Sequence, residues 1–194
     1  RTALHPGQRM AGTAALAHRL VSLLPEGSRT RITDPRKTTP GLRRLERYAV
    51  RCGGAHNHRD QLGSAVMIKD NHIVAAGGIA QAIARARAHA PHSSRVECEV
   101  ASLEELEQAL AAGADVMMLD NFDDDTVWRA VQRAAAQAPR PLSELSGGVR
   151  EDRIATLGAL GVDVISVGAL THSAPAADIS LNFVSPAQAG RPGA

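Results

Sequence analysis

The chain has 194 residues, a formal net charge of +2 at pH 7 and only four aromatic residues. That length suits one domain with a sizeable core, and the small charge, without basic residues interleaved with aromatic ones, argues against a nucleic-acid-binding surface. No apolar run approaches the roughly 20 residues that cross a bilayer. Two cysteines without CxxC spacing are typical of a reducing compartment, so we expect a cytoplasmic protein.

Helical and extended segments alternate along the chain. Alanine- and leucine-rich runs that end at Gly or Pro favour helices, and short β-branched runs between turn residues favour strands. In chain order the predicted elements are helix Ala11–Leu24, strand Arg29–Thr33, helix Leu42–Arg51, strand Ala65–Ile68, helix Ile79–Ala90, strand Arg95–Val100, helix Leu103–Ala112, strand Val116–Leu119, helix Asp125–Ala138, strand Pro141–Leu145, helix Asp152–Leu160 and strand Val164–Val167. This alternation indicates βαβ units and a parallel sheet. We place the α/β domain at residues 1–184 and predict a disordered tail at 185–194, where bulky apolar residues are scarce.

A polar side chain or a glycine turn follows the carboxyl end of most predicted strands. Lys69 follows one strand, Glu99 closes the next, and Asp120 follows the third. Ser146–Gly148 and Gly168 come after the last two strands. Because the carboxyl ends of barrel strands meet at one face, we expect these residues to share one site there.

Lys37 and Lys69 are the only two lysines among 22 basic residues, and they lie in RKTTPG and MIKDNHI. A lysine that persists against an arginine bias indicates a need for a compact ammonium, although chance survival on a solvated surface is the alternative. Arg36, His58 and Arg59 lie in the same polar, turn-like stretch. The cluster predicts a site for a small, highly charged anion.

Period-two alternation places acidic side chains together. In VECEV, Glu97 and Glu99 share a face, and in LSELS, Glu144 and Ser146 do. Acidic groups inside a barrel are costly unless cations or a metal face the same cavity. The alternative for Glu97 and Glu99 is an edge strand with a solvated face.

The predicted helix Leu42–Arg51 carries Arg43, Arg47 and Arg51 on one face. A basic helix face can contact nucleic acid, but we interpret this one as a solvated or subunit-contact face. We expect the cations of the anion site to lie outside it.

Two glycine-containing turns stand at the end of the βα series. The SGG turn lies between a predicted strand and a predicted helix, where backbone N–H groups and the helix dipole can hold an oxyanion. VGALTH, at Val167–His172, is a second turn of this kind. Together the two turns predict a joint phosphate site.

The segments RKTTPGLRRLERYAV, GGAHNHR, IKDNHI, VECEV, LDNF, ELSGGV and GVDVISVGALTHSAPAADISL resemble, in order and spacing, the quinolinate phosphoribosyltransferase family. The resemblance runs from Arg1 to about Phe183. It implies a type II phosphoribosyltransferase with an open, incomplete, TIM-barrel-like α/β barrel of about seven strands. It also implies an amino-terminal sandwich domain before Arg1, which in the family covers the partner's active site in a homodimer and is met by the DISLNF segment.

The resemblance assigns roles to residues motif by motif. The quinolinate-binding cations would be Arg1, Arg36, Lys37, His58, Arg59 and Lys69. The 5′-phosphate would be held by Ser146, Gly147, Gly148, Gly168 and Ala169. Catalysis would rest on Lys37, Lys69, Glu99 and Asp120. Lys37 and Lys69 would also reach the phosphoribosyl donor, and Glu99 and Asp120 would stand near the ribose and its Mg²⁺, directly or through water.

The activity implied is transfer of the phosphoribosyl group of 5-phosphoribosyl 1-pyrophosphate to quinolinate with decarboxylation. The products would be nicotinate mononucleotide, pyrophosphate and CO₂, in de novo NAD biosynthesis. The implied partners are these two substrates and further copies of the full-length chain, as a homodimer or a hexamer of dimers. Two alternatives are a related barrel protein associated with molybdate transport and a truncated, non-catalytic anion-binding module.

Overall fold

The computed structural model of the chain describes Thr2 and residues 4–183. The predicted tail at 185–194 and Arg1 lie outside the described residues. The helices and strands are α1 (Leu4–Ser22), β1 (Arg31–Asp34), α2 (Arg43–Cys52), β2 (His56–Asn57), β3 (Val66–Ile68), α3 (Asp70–Ala76), α4 (Ile79–His89), β4 (Val96–Val100), α5 (Leu103–Ala111), β5 (Val116–Asp120), α6 (Asp124–Ala135), β6 (Leu142–Ser146), α7 (Ile154–Ala159), β7 (Val164–Ser166) and α8 (Ala169–His172). Short 3-10 turns precede β3 and α7.

The seven strands form one sheet in the order β2-β1-β7-β6-β5-β4-β3. Each neighbouring pair is parallel, and β2 and β3 are the two edges although they are consecutive in the chain. The fold is therefore an α/β barrel left open between β2 and β3. The predicted parallel sheet and the open barrel of about seven strands are confirmed.

Alternation along the strands separates two layers. Cys98, Met117 and Leu145 point outward and are completely buried in the aliphatic core that the helices cover. Glu97 and Glu144 point the other way, into the barrel. Because β4 lies between β3 and β5, the edge-strand alternative for its two glutamates is wrong.

Four elements differ from the sequence-based expectations, and one of them is α8, a four-residue helix within VGALTH, where only a turn was predicted. Helix α1 begins at Leu4 rather than Ala11, because a proline in the first turn, where the backbone N–H has no helical partner anyway, does not stop a helix. Strand β2 is only two residues long and has no apolar run to reveal it. Helix α3 follows Lys69 directly and ends at Gly77, whose φ is 89°.

No described helix combines the length and the apolar character that crossing a membrane would require.

Candidate active site

A cavity of about 740 Å³ opens at the carboxyl ends of the strands. Every described residue to which the resemblance assigned a role lines it: Arg36, Lys37, His58, Arg59, Lys69, Glu99, Asp120, Ser146, Gly147, Gly148, Gly168 and Ala169. All seven strands contribute to this set, either through the end of the strand or through the loop that follows it. Arg1, the remaining predicted ligand, lies outside the described residues.

Lys69 and Glu99 form an ion pair at the mouth of this cavity. The Lys69 ammonium donates to Glu99 Oε2, and the two side chains are 45% and 17% exposed. The Lys69 backbone N–H donates to His72 Nδ1 (3.0 Å), which fixes the start of α3. Lys69 is thus held by the backbone geometry at the start of α3 and by its ion pair with Glu99 on β4.

His58 lies deeper, at the floor of the cavity. Its Nε2 is 3.5 Å from Glu97 Oε2 and 3.4 Å from Glu144 Oε1, and the His58 side chain is 13% exposed whereas both glutamates are buried. His58 follows one edge strand, whereas Glu97 is on the strand next to the opposite edge. The sheet must therefore curl around the cavity to bring them together.

The floor cluster, defined as His58, Glu97 and Glu144, retains a proton at neutral pH. Burial favours the neutral imidazole, but the carboxylates of Glu144 and Glu97 outweigh it and raise the pKa of His58 to about 10. Burial raises the pKa of Glu97, and the nearby charge of Glu144 raises it further. The contact with His58 lowers this pKa but does not cancel the rise. The Arg59 N–H donates to His58 Nδ1 (2.7 Å), which keeps a ring proton on Nε2, so the additional proton is shared within the cluster.

The backbone of the His58 loop is anchored by Asp34 and Arg47. Asp34 Oδ1 accepts the His58 N–H (3.0 Å), and Arg47 Nη2 donates to the His58 carbonyl (2.7 Å). Asp34 is fully buried, 3.6 Å from Arg47 Nη1. Burial raises the pKa of Asp34, and the Arg47 charge and the His58 N–H limit the rise.

Two arginines of α2 therefore serve the site. Besides Arg47, Arg43 donates to Thr38 Oγ1 (2.9 Å) and to the Arg36 carbonyl (3.3 Å) in the loop after β1. The interpretation of this helix face as solvated is wrong for both residues, because helical spacing alone cannot show which loops a face will meet. Arg51 is exposed, as expected.

The loop that carries Lys37 is braced from three helices. Thr171 Oγ1 donates to the Lys37 carbonyl (2.8 Å), and Glu46 Oε2 accepts the Thr39 N–H (3.0 Å). Arg9 pairs with the fully buried Glu46 (2.7 Å) and donates to Thr39 Oγ1 (2.6 Å). These contacts fix the backbone on which the Lys37 ammonium is carried.

The glycine turn after β6 has a conformation and a neighbourhood that exclude side chains. Gly147 and Gly148 have φ values of 84° and 57°, in the region that favours glycine. A Cβ at Gly147 would lie 2.3 Å from Asn121 Oδ1 and 2.9 Å from Asp120 Oδ1. Asn121 has a φ of 57° and donates through Nδ2 to Asp120 Oδ2 (2.9 Å). The glycine turn after β6 therefore packs directly against Asp120 and Asn121 at the end of β5.

Two groups of acidic residues could hold a metal ion. Within residues 4–183, the floor cluster is the group of three donors close enough to share an ion, but the proton on His58 Nε2 occupies the space between them. Glu99 and Asp120 offer carboxylates near the cavity mouth. Mg²⁺ prefers one or two carboxylates completed by water and substrate phosphates, so this second pair fits Mg²⁺ in chemistry.

Several cavity residues have no role in the predictions made from the sequence. Asn121 and His172 line the cavity, and Glu97 and Glu144 form its floor with His58. The alternation in VECEV and LSELS indicated where the two glutamates point, but not which cation they would meet. Cys98 stays outside the site, and burial raises the pKa of its thiol to about 12, as expected of an unreactive core cysteine.

The model of the family described as "Quinolinate phosphoribosyl transferase, C-terminal domain" matches residues 13–182 of the chain. The chain belongs to this family. The chain is 43% identical over 182 residues to the probable nicotinate-nucleotide pyrophosphorylase (carboxylating) of Bacillus subtilis (strain 168), covering 94% of the chain and 62% of that protein. It is 42% identical over 184 residues to the Homo sapiens nicotinate-nucleotide pyrophosphorylase (carboxylating), again covering 94% of the chain and 62% of the relative.

The fold comparison agrees with the sequence comparison. The chain superposes on the crystal structure of NadC from Streptococcus pyogenes with a TM-score of 0.86 and 43% identity, covering 94% of this chain and 63% of that one. The chain therefore spans a little under two thirds of the length of these relatives.

Proposed function

We propose that this chain is the phosphoribosyl-transferring domain of a nicotinate-nucleotide pyrophosphorylase (carboxylating). The reaction joins quinolinate to the phosphoribosyl group of 5-phosphoribosyl 1-pyrophosphate and gives nicotinate mononucleotide, pyrophosphate and CO₂. The observation that carries this proposal is the single cavity, in a member of this family, lined by all twelve described residues whose roles the motifs imply.

The charges of the cavity suit the charges of these substrates. Quinolinate is a dianion with adjacent carboxylates, and the phosphoribosyl donor is a polyanion, so they can share a pocket only if cations offset their repulsion. Five cationic side chains line the cavity, namely Arg36, Lys37, His58, Arg59 and Lys69. The ion pair of Lys69 with Glu99 is partly exposed, so an incoming carboxylate or phosphate can compete for the ammonium.

The acids of the cavity suit the transition state. The pyridine nitrogen attacks C1 of the ribose while pyrophosphate leaves, and positive charge develops on the sugar. Glu99 and Asp120 can stabilise that charge electrostatically without giving or taking a proton. The nitrogen lone pair is free, so the attack needs no general base. The pyridinium then accepts the electrons of the adjacent C–CO₂⁻ bond as CO₂ leaves, and a proton takes its place on the ring carbon.

The cavity also offers groups that can hold the 5′-phosphate and Mg²⁺. Ser146, Gly147, Gly148, Gly168 and Ala169 would hold the 5′-phosphate through a turn in which positive φ values leave room for a close oxyanion. Glu99 and Asp120 would hold Mg²⁺, directly or through water. When bound, Mg²⁺ neutralises charge on the pyrophosphate leaving group.

We also propose that the working form is a cytoplasmic homodimer whose sites are completed by a further domain. Leu181 and Phe183, at the end of the described chain, are 66% and 98% exposed, which suits a segment that packs against more protein. Within the described residues, Cys52 and Cys98 are unpaired. We expect the 194-residue chain alone to bind quinolinate more weakly than a form extended by the amino-terminal domain, because an uncovered pocket leaves its charges in water.

The deciding experiment supplies quinolinate, 5-phosphoribosyl 1-pyrophosphate and Mg²⁺ to the longest natural form of the protein and measures nicotinate mononucleotide and CO₂. Nicotinate, which lacks the second carboxylate, is the matched control acceptor. We expect product when quinolinate is the acceptor and none when nicotinate is the acceptor. No product, or equal product from nicotinate, would overturn the proposal.

A further inference from the structure

Two buried carboxylates lie side by side beneath the cavity with few partners. Glu97 Oε1 and Glu144 Oε1 accept no hydrogen bond from any described residue, and the two side chains are 8% and 5% exposed. Burying an incompletely paired carboxylate is costly, and a second one beside it adds repulsion. Stability alone therefore gives no reason for this pair.

Both carboxylates approach the same atom. Glu97 Oε2 and Glu144 Oε1 lie 3.5 Å and 3.4 Å from His58 Nε2, so this nitrogen is within ion-pair distance of both carboxylates. On the other side of the ring, the Arg59 N–H donates to Nδ1. The ring of His58 is thus held at both nitrogens while it lines the cavity.

A metal ion is the obvious alternative occupant of this cluster, since one nitrogen and two carboxylates are within 4.8 Å of one another. A metal would need the lone pair of Nε2. The Arg59 N–H uses the lone pair of Nδ1, so the ring proton stays on Nε2 and points at the carboxylates. The geometry favours a hydrogen-bonded ring over a coordinated one.

We propose that Glu97 and Glu144 are positioning residues, which fix the orientation of His58 and keep a proton on its Nε2 before an anionic substrate arrives. They do not touch the substrate, and they act through His58. The inference rests on the proposed function only for the choice of quinolinate as the assayed substrate. Two buried acids are retained at some expense of stability because they keep this wall of the pocket in one arrangement.

The test compares Glu144→Leu, Glu144→Gln and His58→Asn in the full protein, with kcat and KM for quinolinate and the thermal midpoint as measurements. For Glu144→Leu we expect kcat/KM to fall about 10- to 100-fold, mainly through KM, with an unchanged or higher midpoint. Glu144→Gln keeps an acceptor for Nε2–H and should recover most of the loss. In the His58→Asn background, Glu144→Leu should have no further effect on kcat/KM, because it acts through the missing ring.

The control is Asp163→Asn, which removes a carboxylate that pairs with Arg140 (2.9 Å) and accepts the Ser143 N–H (2.8 Å) at the opposite end of the barrel. It should lower the thermal midpoint and leave kcat/KM unchanged. A merely structural role for Glu144 would give that same pattern. The proposal would be overturned if Glu144→Leu lowered kcat/KM by the same factor in the His58→Asn background as in the wild type.

A measurement without substrate separates this inference from the proposed function. In ¹⁵N spectra of the histidine rings we expect Nε2 of His58 to carry a proton in the wild type and to lose that fixed state in Glu97→Leu/Glu144→Leu. A wild-type Nε2 without a proton, or one whose signal is shifted by stoichiometric Zn²⁺, would refute the positioning role. An inactive wild type with the expected spectra would refute only the proposed function.

Discussion

Two glutamates of one strand behave in opposite ways. Glu99 forms the rim pair with Lys69, which is partly exposed, whereas Glu97, two residues earlier, belongs to the buried floor cluster with His58 and Glu144. An ion pair in water contributes only about 0–1 kcal/mol, so the rim pair can separate when a ligand offers a better partner. The floor cluster cannot release its charges, because separation would strand them in a low-dielectric interior.

The difference indicates a division of labour along β4. The rim supplies charges that can exchange partners during a reaction, and the floor supplies groups that stay in place. Changes at the rim should therefore reduce activity with little effect on folding, and changes that reach the floor should also alter stability.

The largest effect should come from Lys69→Arg. The charge is kept, but a planar fork replaces a compact ammonium in a crowded cavity, and we expect kcat/KM to fall by about 100-fold, the usual size of a lost transition-state contact. The matched control is Arg87→Lys, since Arg87 is 43% exposed and pairs with Asp115 at the other end of the barrel. Activity close to wild type in Lys69→Arg, measured at steady state, would contradict the exchangeable role of the rim lysine.

A smaller loss is expected from Gly147→Ala, which tests the geometry beside the rim acid Asp120. Its Cβ would lie 2.3 Å from Asn121 Oδ1, whereas a Cβ at Gly113, where φ is 76°, meets nothing within 4 Å. Both substitutions should reduce the free energy of unfolding by about 1 kcal/mol through the positive φ. Only Gly147→Ala should also raise KM for the phosphoribosyl donor, by about tenfold. Equal kinetics in the two variants would show that the contact with Asn121 does not matter.

Arg47→Met should affect the floor through stability more than through activity. It leaves Asp34, which is fully buried, without its cation, and breaking such a pair costs about 3 kcal/mol. Chemical denaturation should show that loss, accompanied by a modest loss of activity as the His58 loop relaxes. Arg51→Met, on the exposed part of the same helix, is the control. Comparable unfolding midpoints in the two variants would exclude the anchoring role of Arg47.

The smallest effect concerns pH. The folded-state pKa of His58, about 10, lies above its ordinary value of 6.5, so the folded protein binds a proton that the unfolded chain releases. The resulting stabilisation is complete below pH 6.5 and is lost as the pH rises from there through about 10. Thermal midpoints recorded across this window should fall more in the wild type than in His58→Asn. Parallel curves would show that the floor cluster does not hold the proton.

Much of the architecture could be predicted from the sequence, because it depends on local patterns. The predicted strands over Ala65–Ile68, Arg95–Val100 and Val116–Leu119 correspond to β3, β4 and β5. Alternation in VECEV also predicted that Glu97 and Glu99 share a face. By contrast, β2 has no apolar pattern, and α3 was hidden within the IKDNHI motif, so neither was predicted.

The partners of the charged side chains could not be predicted in this way. Arg43 and Arg47 were assigned to a solvated or subunit-contact face, yet they hold the loops that carry Arg36 and His58. Helical periodicity shows which residues lie together on a helix, but the elements that pack against them depend on the folded chain.

The sequence by itself determined the alternation of helices and strands, the face on which each strand residue lies, and the collection of lysines, acids and glycines at the strand ends. These follow from the period of the backbone and the chemistry of each residue type. Only the tertiary structure decided that Lys69 pairs with Glu99 while His58 meets Glu97 and Glu144. The contacts of His58 join residues from distant strands of the sheet, and they exist because the sheet curls until its two edges approach one another.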